Sequence, residues 1–138
     1  MNTLICTDEK NAVINKEKIL QLLEESDSWK RLLDFLLEEN NYLKVRLAHI
    51  NNLRIAENIP GKRENIQLDI QKTNQVIDLN KSAITRYEKW LTRHPARNPD
   101  EFEEIFKRHV EVRKQIEKAE INFAIQKVDF NEQFTKNL

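Results

Sequence analysis

Histidines, paired carboxylates and a lone cysteine are the side chains in this sequence whose chemistry could serve a reaction or a metal. Their spacing decides what each can do. The histidines are His49, His94 and His109. A di-iron helical bundle sets a glutamate three residues ahead of a liganding histidine. Here those positions hold Arg46, Leu91 and Phe106, so the pattern fails. His-Glu-x-x-His motifs and nucleophile elbows are absent, and a single glycine leaves no material for a loop that cradles phosphate through bare backbone. The sequence therefore predicts no metal, no cofactor and no catalytic residue.

The acidic pairs Glu24-Glu25, Glu38-Glu39 and Glu103-Glu104 could act as general acids or bases only if burial raised the pKa of one member. Lys and Arg residues lie near each pair, which reads instead as a solvated charged face. Cys6 has no second cysteine to bridge, as suits a reducing compartment. No apolar run approaches the roughly 18 residues of a membrane span. Residues 1–12 lack the basic region and apolar stretch of a signal peptide. The expectation is a cytoplasmic protein that is not an enzyme and has no membrane partner.

Lys plus Arg equals Asp plus Glu at 23 each, so no net field steers the chain toward nucleic acid. Charge is uneven nonetheless. Between Asn58 and Asn98 eight basic residues face four acidic ones. Within that stretch only Arg86, Tyr87, Lys89, Trp90, Arg93 and Arg97 interleave cations with aromatics as a single-strand-binding surface would. Nucleic-acid association through this basic end is the alternative reading. The loop from Arg93 to Asn98 is the candidate contact with a partner, because Arg93, His94 and Arg97 project donors beside a helix start whose free amides at Asp100 and Glu101 could help hold a carboxylate or phosphate.

Positioning these residues falls to helices. All three prolines and the only glycine lie in Asn58-Ile59-Pro60-Gly61 and in Arg93 to Pro99, and proline removes a backbone donor while disfavouring helix in the residue before it. Asn98 as N-cap, Pro99 at the first helical position and Asp100 and Glu101 in the first turn form a start signal. Between the breaks, apolar residues recur at alternating intervals of three and four. The seams run Ile19 to Ile50, Ile66 to Leu91 and Phe102 to Phe130, the heptad signature of helices packing knobs into holes.

The fold expected is all-α: one antiparallel bundle of three long heptad-patterned helices over 8–138, with residues 1–7 disordered. The core helices are 26–57, 62–93 and 99–135. Its core comprises Trp29, Leu33, Leu36, Leu43, Leu47, Ile70, Ile77, Ile84, Leu91, Phe102, Ile105, Val112, Ile116 and Phe123. Residues 8–25 either continue the first helix beyond the bundle or, if it breaks near Ser26 to Ser28, fold back as a fourth. A continuous helix would leave a leucine-rich stripe, Leu20 and Leu23 within it, for a partner such as a second copy of the chain.

Short connectors imply antiparallel neighbours. On that register Asn40 meets Asn80, and His109 lies beside Ala83 and Ile84, so one buried polar layer of Asn40, Asn80 and His109 crosses the bundle and fixes its alignment. The function expected is a non-catalytic interaction or scaffold module that forms a homo-oligomer or binds a protein partner through its helix faces.

Overall fold

The computed structural model describes the backbone of residues 2–53, 60–94 and 96–135 and the side chains of 16–53, 64–94 and 96–134. Three helices pack against one another: α1 (Asn2–Asn52), α2 (Pro60–Arg93) and α3 (Pro99–Thr135). Strands are absent among the described residues. Successive helices run antiparallel, which sets α1 and α3 parallel; Lys18 meets Phe102 near their beginnings and Arg46 meets Asn131 near their ends.

Helix α1 spans 51 residues, about 75 Å at 1.5 Å per residue. It begins at Asn2, so residues 2–7, expected to be disordered, lie on its described backbone; no proline or glycine interrupts the chain there. The expected end at residue 57 falls outside the described residues.

Of the two alternatives at Ser26 to Ser28, the continuous helix forms and the break does not occur. An N-capping serine turns its oxygen to the amides ahead of it. Here Ser28 Oγ instead donates back to the Glu25 carbonyl at 2.5 Å, and Ser26 Oγ is drawn sideways to Glu88 of α2 at 2.8 Å. With both hydroxyls engaged across or along the helix, nothing ends it, and the bundle has three helices.

The heptad seams form the core. Leu33, Leu43, Ile77, Ile84, Leu91 and Ile116 are fully buried, with Trp29, Leu36, Leu47, Ile70, Ile105 and Phe123 nearly so. Each such aliphatic side chain contributes about 1.5 to 3 kcal/mol relative to leaving it in water. Phe102 and Val112, expected inside, are half-buried and pack against the cluster's margin. Ser26, Asn40 and His109 are the buried polar residues among those described.

The segment before Ser26 is covered more than its sequence suggests. The first turns of α3 lie alongside it, with Lys18 Nζ 5.0 Å above the Phe102 ring. Leu22 is buried and Ile19 and Leu23 are packed against the core. Leu23 is thereby used within the chain, and of the two leucines offered as a partner surface only Leu20 stands exposed.

Candidate functional site

Polar side chains inside a bundle must find partners, because an unpaired buried donor or acceptor costs about 1 to 3 kcal/mol. The three seam positions filled by Ser26, Asn40 and His109 do so in two separate layers. The single layer expected from the sequence does not form.

The first layer surrounds Asn40. Its amide nitrogen donates to the Ile70 carbonyl at 2.9 Å and to Asn74 Oδ1 at 2.8 Å. Its carbonyl oxygen accepts from Gln126 Nε2 at 3.0 Å, and the hydroxyl of Thr73 donates to Gln126 Oε1. All three helices are tied by neutral groups. Asn80 is only half-buried and takes no part. The partner of Asn40 is Asn74, six positions earlier in α2 than expected.

The second layer surrounds His109, which lies against Tyr87, one turn along α2 from the Ala83 and Ile84 of the expected register. Tyr87 Oη is 2.5 Å from Nδ1 of His109, and Glu25 Oε1 is 2.6 Å from its Nε2. Arg113 grips the same carboxylate with two bonds, Nε to Oε2 at 2.9 Å and Nη2 to Oε1 at 2.6 Å. Trp29 covers the imidazole with ring centroids 4.7 Å apart. One turn away on α1, Ser26 and Lys30 both bond Glu88, the latter at 3.1 Å.

Electrostatics assigns every proton in this cluster. The Arg113 guanidinium holds the Glu25 carboxyl below its ordinary range, against opposing desolvation and with help from His109. Burial pushes the Tyr87 hydroxyl well above its usual value and pushes the His109 imidazole below its ordinary 6.5, outweighing the pull of Glu25. At neutral pH the imidazole is neutral. Tyr87 therefore donates to Nδ1, and the Nε2 hydrogen is donated to anionic Glu25.

A hydroxyl, an imidazole and a carboxylate in line resemble a nucleophile-activating relay. Here the terminal hydroxyl is buried, and neither of the grooves described below is lined by Tyr87, His109 or Glu25. Tyr87 and His109 are enclosed by packing, while the Glu25 carboxylate at the far end keeps about a third of its surface exposed. Glu25 departs in part from its reading as a solvated face. The sequence offered a signal at Ser26 and His109, polar residues on apolar seams, but none that joined them to Glu25, Tyr87 or Arg113.

Arg93, His94 and Arg97 come together around a groove of about 350 Å³, lined also by Trp90, Glu101, Glu104 and Ile105. His94 stacks on Trp90 at 4.5 Å and bonds its carbonyl through Nδ1 at 2.7 Å. Of the two amides expected to assist an anion, that of Glu101 is already in use. Asn98 Oδ1 accepts from the Glu101 amide at 2.9 Å, confirming the cap, and Glu101 Oε2 accepts from the Arg97 amide at 2.7 Å. With Glu101 and Glu104 beside the two exposed arginines, the groove has mixed charge and favours no simple anion.

The basic end also loses its stacking platform. Tyr87 is buried, and Trp90 has Arg108 4.2 Å above its ring and His94 stacked against it. A second groove, about 360 Å³, runs between α2 and α3 and is lined by Asp69, Val76, Ile125 and Asp129 among others. No helix among the described residues is long and apolar enough to cross a membrane, and no cluster of three or more His, Cys, Asp or Glu side chains there could hold a metal ion. The chain matches no protein-family model, no curated protein and no solved structure.

Proposed function

We propose that this protein is a non-catalytic helical interaction module that self-associates or docks on a protein partner through its helix faces. One observation carries the reading. Large apolar side chains stand outward on all three long helices, Phe35, Tyr42 and Val45 on α1, Leu68 and Leu79 on α2, and Ile121, Ile125 and Val128 on α3. The polar groups with chemical capacity are turned inward and bonded to one another. Outward apolar rows mark contact surfaces when they are contiguous, and a bundle pinned by two polar layers presents them on a rigid frame.

Sedimentation velocity on the purified chain at micromolar concentration tests the proposal. A mass above that of one chain, or co-sedimentation with a protein from its host, is the expected result. A strictly monomeric chain that retains no partner would remove the reading.

A further inference from the structure

The outer face of α3 supplies the most ordered of these rows. Ile121, Ile125 and Val128 are 59, 56 and 54 % exposed. They stand at i, i+4 and i+7, which keeps them within a sector of about 60° on the helix. That sector lies opposite the buried seam of Ile116, Phe123 and Phe130.

Exposed charges flank the row: Lys114 and Lys118 precede it with Glu117 between them, and Asp129 and Glu132 follow it, so their net charge is positive before the row and negative after it. None of Lys114, Lys118, Asp129 and Glu132 has an ion-pair partner among the described residues. Within its own helix each pair is unfavourable, since Lys114 and Lys118 are like charges at i, i+4 and Asp129 and Glu132 at i, i+3. The acidic pair also lies toward the C-terminal end of α3, whose last turn has no basic residue, where the macrodipole disfavours negative charge.

We propose that this face is the contact between two copies of the chain, packed α3 against α3, antiparallel, about a two-fold axis beside Ile125. A two-fold contact uses one patch twice and must be complementary to itself. This row meets that condition. Inverted about Ile125, it sets Lys118 level with Glu132 and brings Ile121 and Val128 to within one residue of the same level, with Lys114 about one turn from the same acid. Parallel pairing would set lysine against lysine and acid against acid, so the charges fix orientation as well as partner. The complementarity lies within one helix, and this favours a second copy over a different protein. Three aliphatic residues a side make a small contact beside the roughly 1,200 to 2,000 Å² of standard interfaces. Association is therefore micromolar, ~10–100 µM, and weakens with salt.

The contact rests on the interaction-module reading and is tested separately from it by sedimentation equilibrium of the full chain over a concentration series. Ile125→Glu is expected to abolish the dimer, and Lys118→Glu or Glu132→Lys to weaken it about tenfold or more, since the two-fold axis makes each substitution break two symmetry-related charge pairs. The double variant Lys118→Glu with Glu132→Lys recreates the pair in reverse and restores association to within about threefold of the parent. All these positions are exposed, so far-ultraviolet circular dichroism melts should match the parent and exclude unfolding as the cause. In a Cys6→Ser background, Ile125→Cys should oxidise to a cross-linked homodimer, and Leu79→Cys on the outer face of α2 should not. A dimer that survives Ile125→Glu, or one the charge swap fails to restore, overturns this contact and leaves self-association standing. A chain monomeric at every concentration overturns the contact and removes self-association from the proposed function, leaving only docking on another protein.

Discussion

The Asn40 layer and the His109 layer do the same mechanical work by different means. Both sit at seam positions, both join all three helices, and both satisfy a fully buried polar side chain. The Asn40 layer is built of amides and a hydroxyl, which hold their hydrogen-bonding roles across the accessible pH range. Around His109 an imidazole, a carboxylate, a phenol and a guanidinium depend on one another's charge. One layer can therefore fix alignment unconditionally, while the other does so only while its protons stay where burial puts them.

The largest effect expected from breaking the comparison is on stability. His109→Ala removes a fully buried ring packed on Trp29, leaves the Tyr87 hydroxyl without its bond and leaves Glu25 to Arg113 alone, a loss of about 3 to 5 kcal/mol. Asn40→Ala leaves a smaller cavity and strands Asn74 and Gln126, about 2 to 3 kcal/mol. Urea denaturation measures both. Equal losses would say that packing and not bonding dominates the two sites.

A change of pH separates the layers next. His109 has its pKa lowered in the folded chain, so the unfolded chain takes up the proton first. Stability is full above the ordinary value of 6.5 and falls as pH drops below it toward the folded value. Glu25, also lowered, adds a further loss beginning below its ordinary 4.5. The melting temperature of the parent should fall between pH 7.5 and 5, while His109→Gln, which keeps one donor and one acceptor and cannot titrate, should stay flatter over that interval. Equal slopes for the two proteins would place the response on another group.

The smallest effect belongs to the rim. Arg93→Ala with Arg97→Ala removes two exposed side chains that have no partner among the described residues, and should shift stability by no more than about 0.5 kcal/mol. If the loop meets a partner, binding weakens while the melt stays fixed. A variant that unfolds would assign these arginines to the packing.

Local chemistry was legible in the sequence wherever it acts locally. Proline and glycine end helices through their own backbone, so α2 and α3 start at prolines. The Asn98 cap needed only the three residues beyond it. Heptad spacing fixed the angular position of each side chain, which is why Leu33, Ile77, Ile84 and Ile116 are buried as expected. Ser26 and Ser28 left the continuity of α1 open because a serine suited to capping serves equally as a donor to its own helix, as Ser28 does, or to a neighbouring one, as Ser26 does, and that neighbour is invisible from nearby sequence.

The sequence by itself therefore determined the class, the two breaks at proline and the inward face of each helix. Tertiary structure decided the axial register, and with it which polar residues meet. Sliding one helix by about a heptad returns apolar residues to apolar neighbours, so the seam tolerates several alignments that the hydrophobic pattern cannot tell apart. Polar partners can, since each buried donor needs its acceptor within hydrogen-bonding distance. Asn40 reaches Asn74 and Gln126, His109 reaches Tyr87 and Glu25, and those bonds depend on connector length and three-body packing that no single helix encodes.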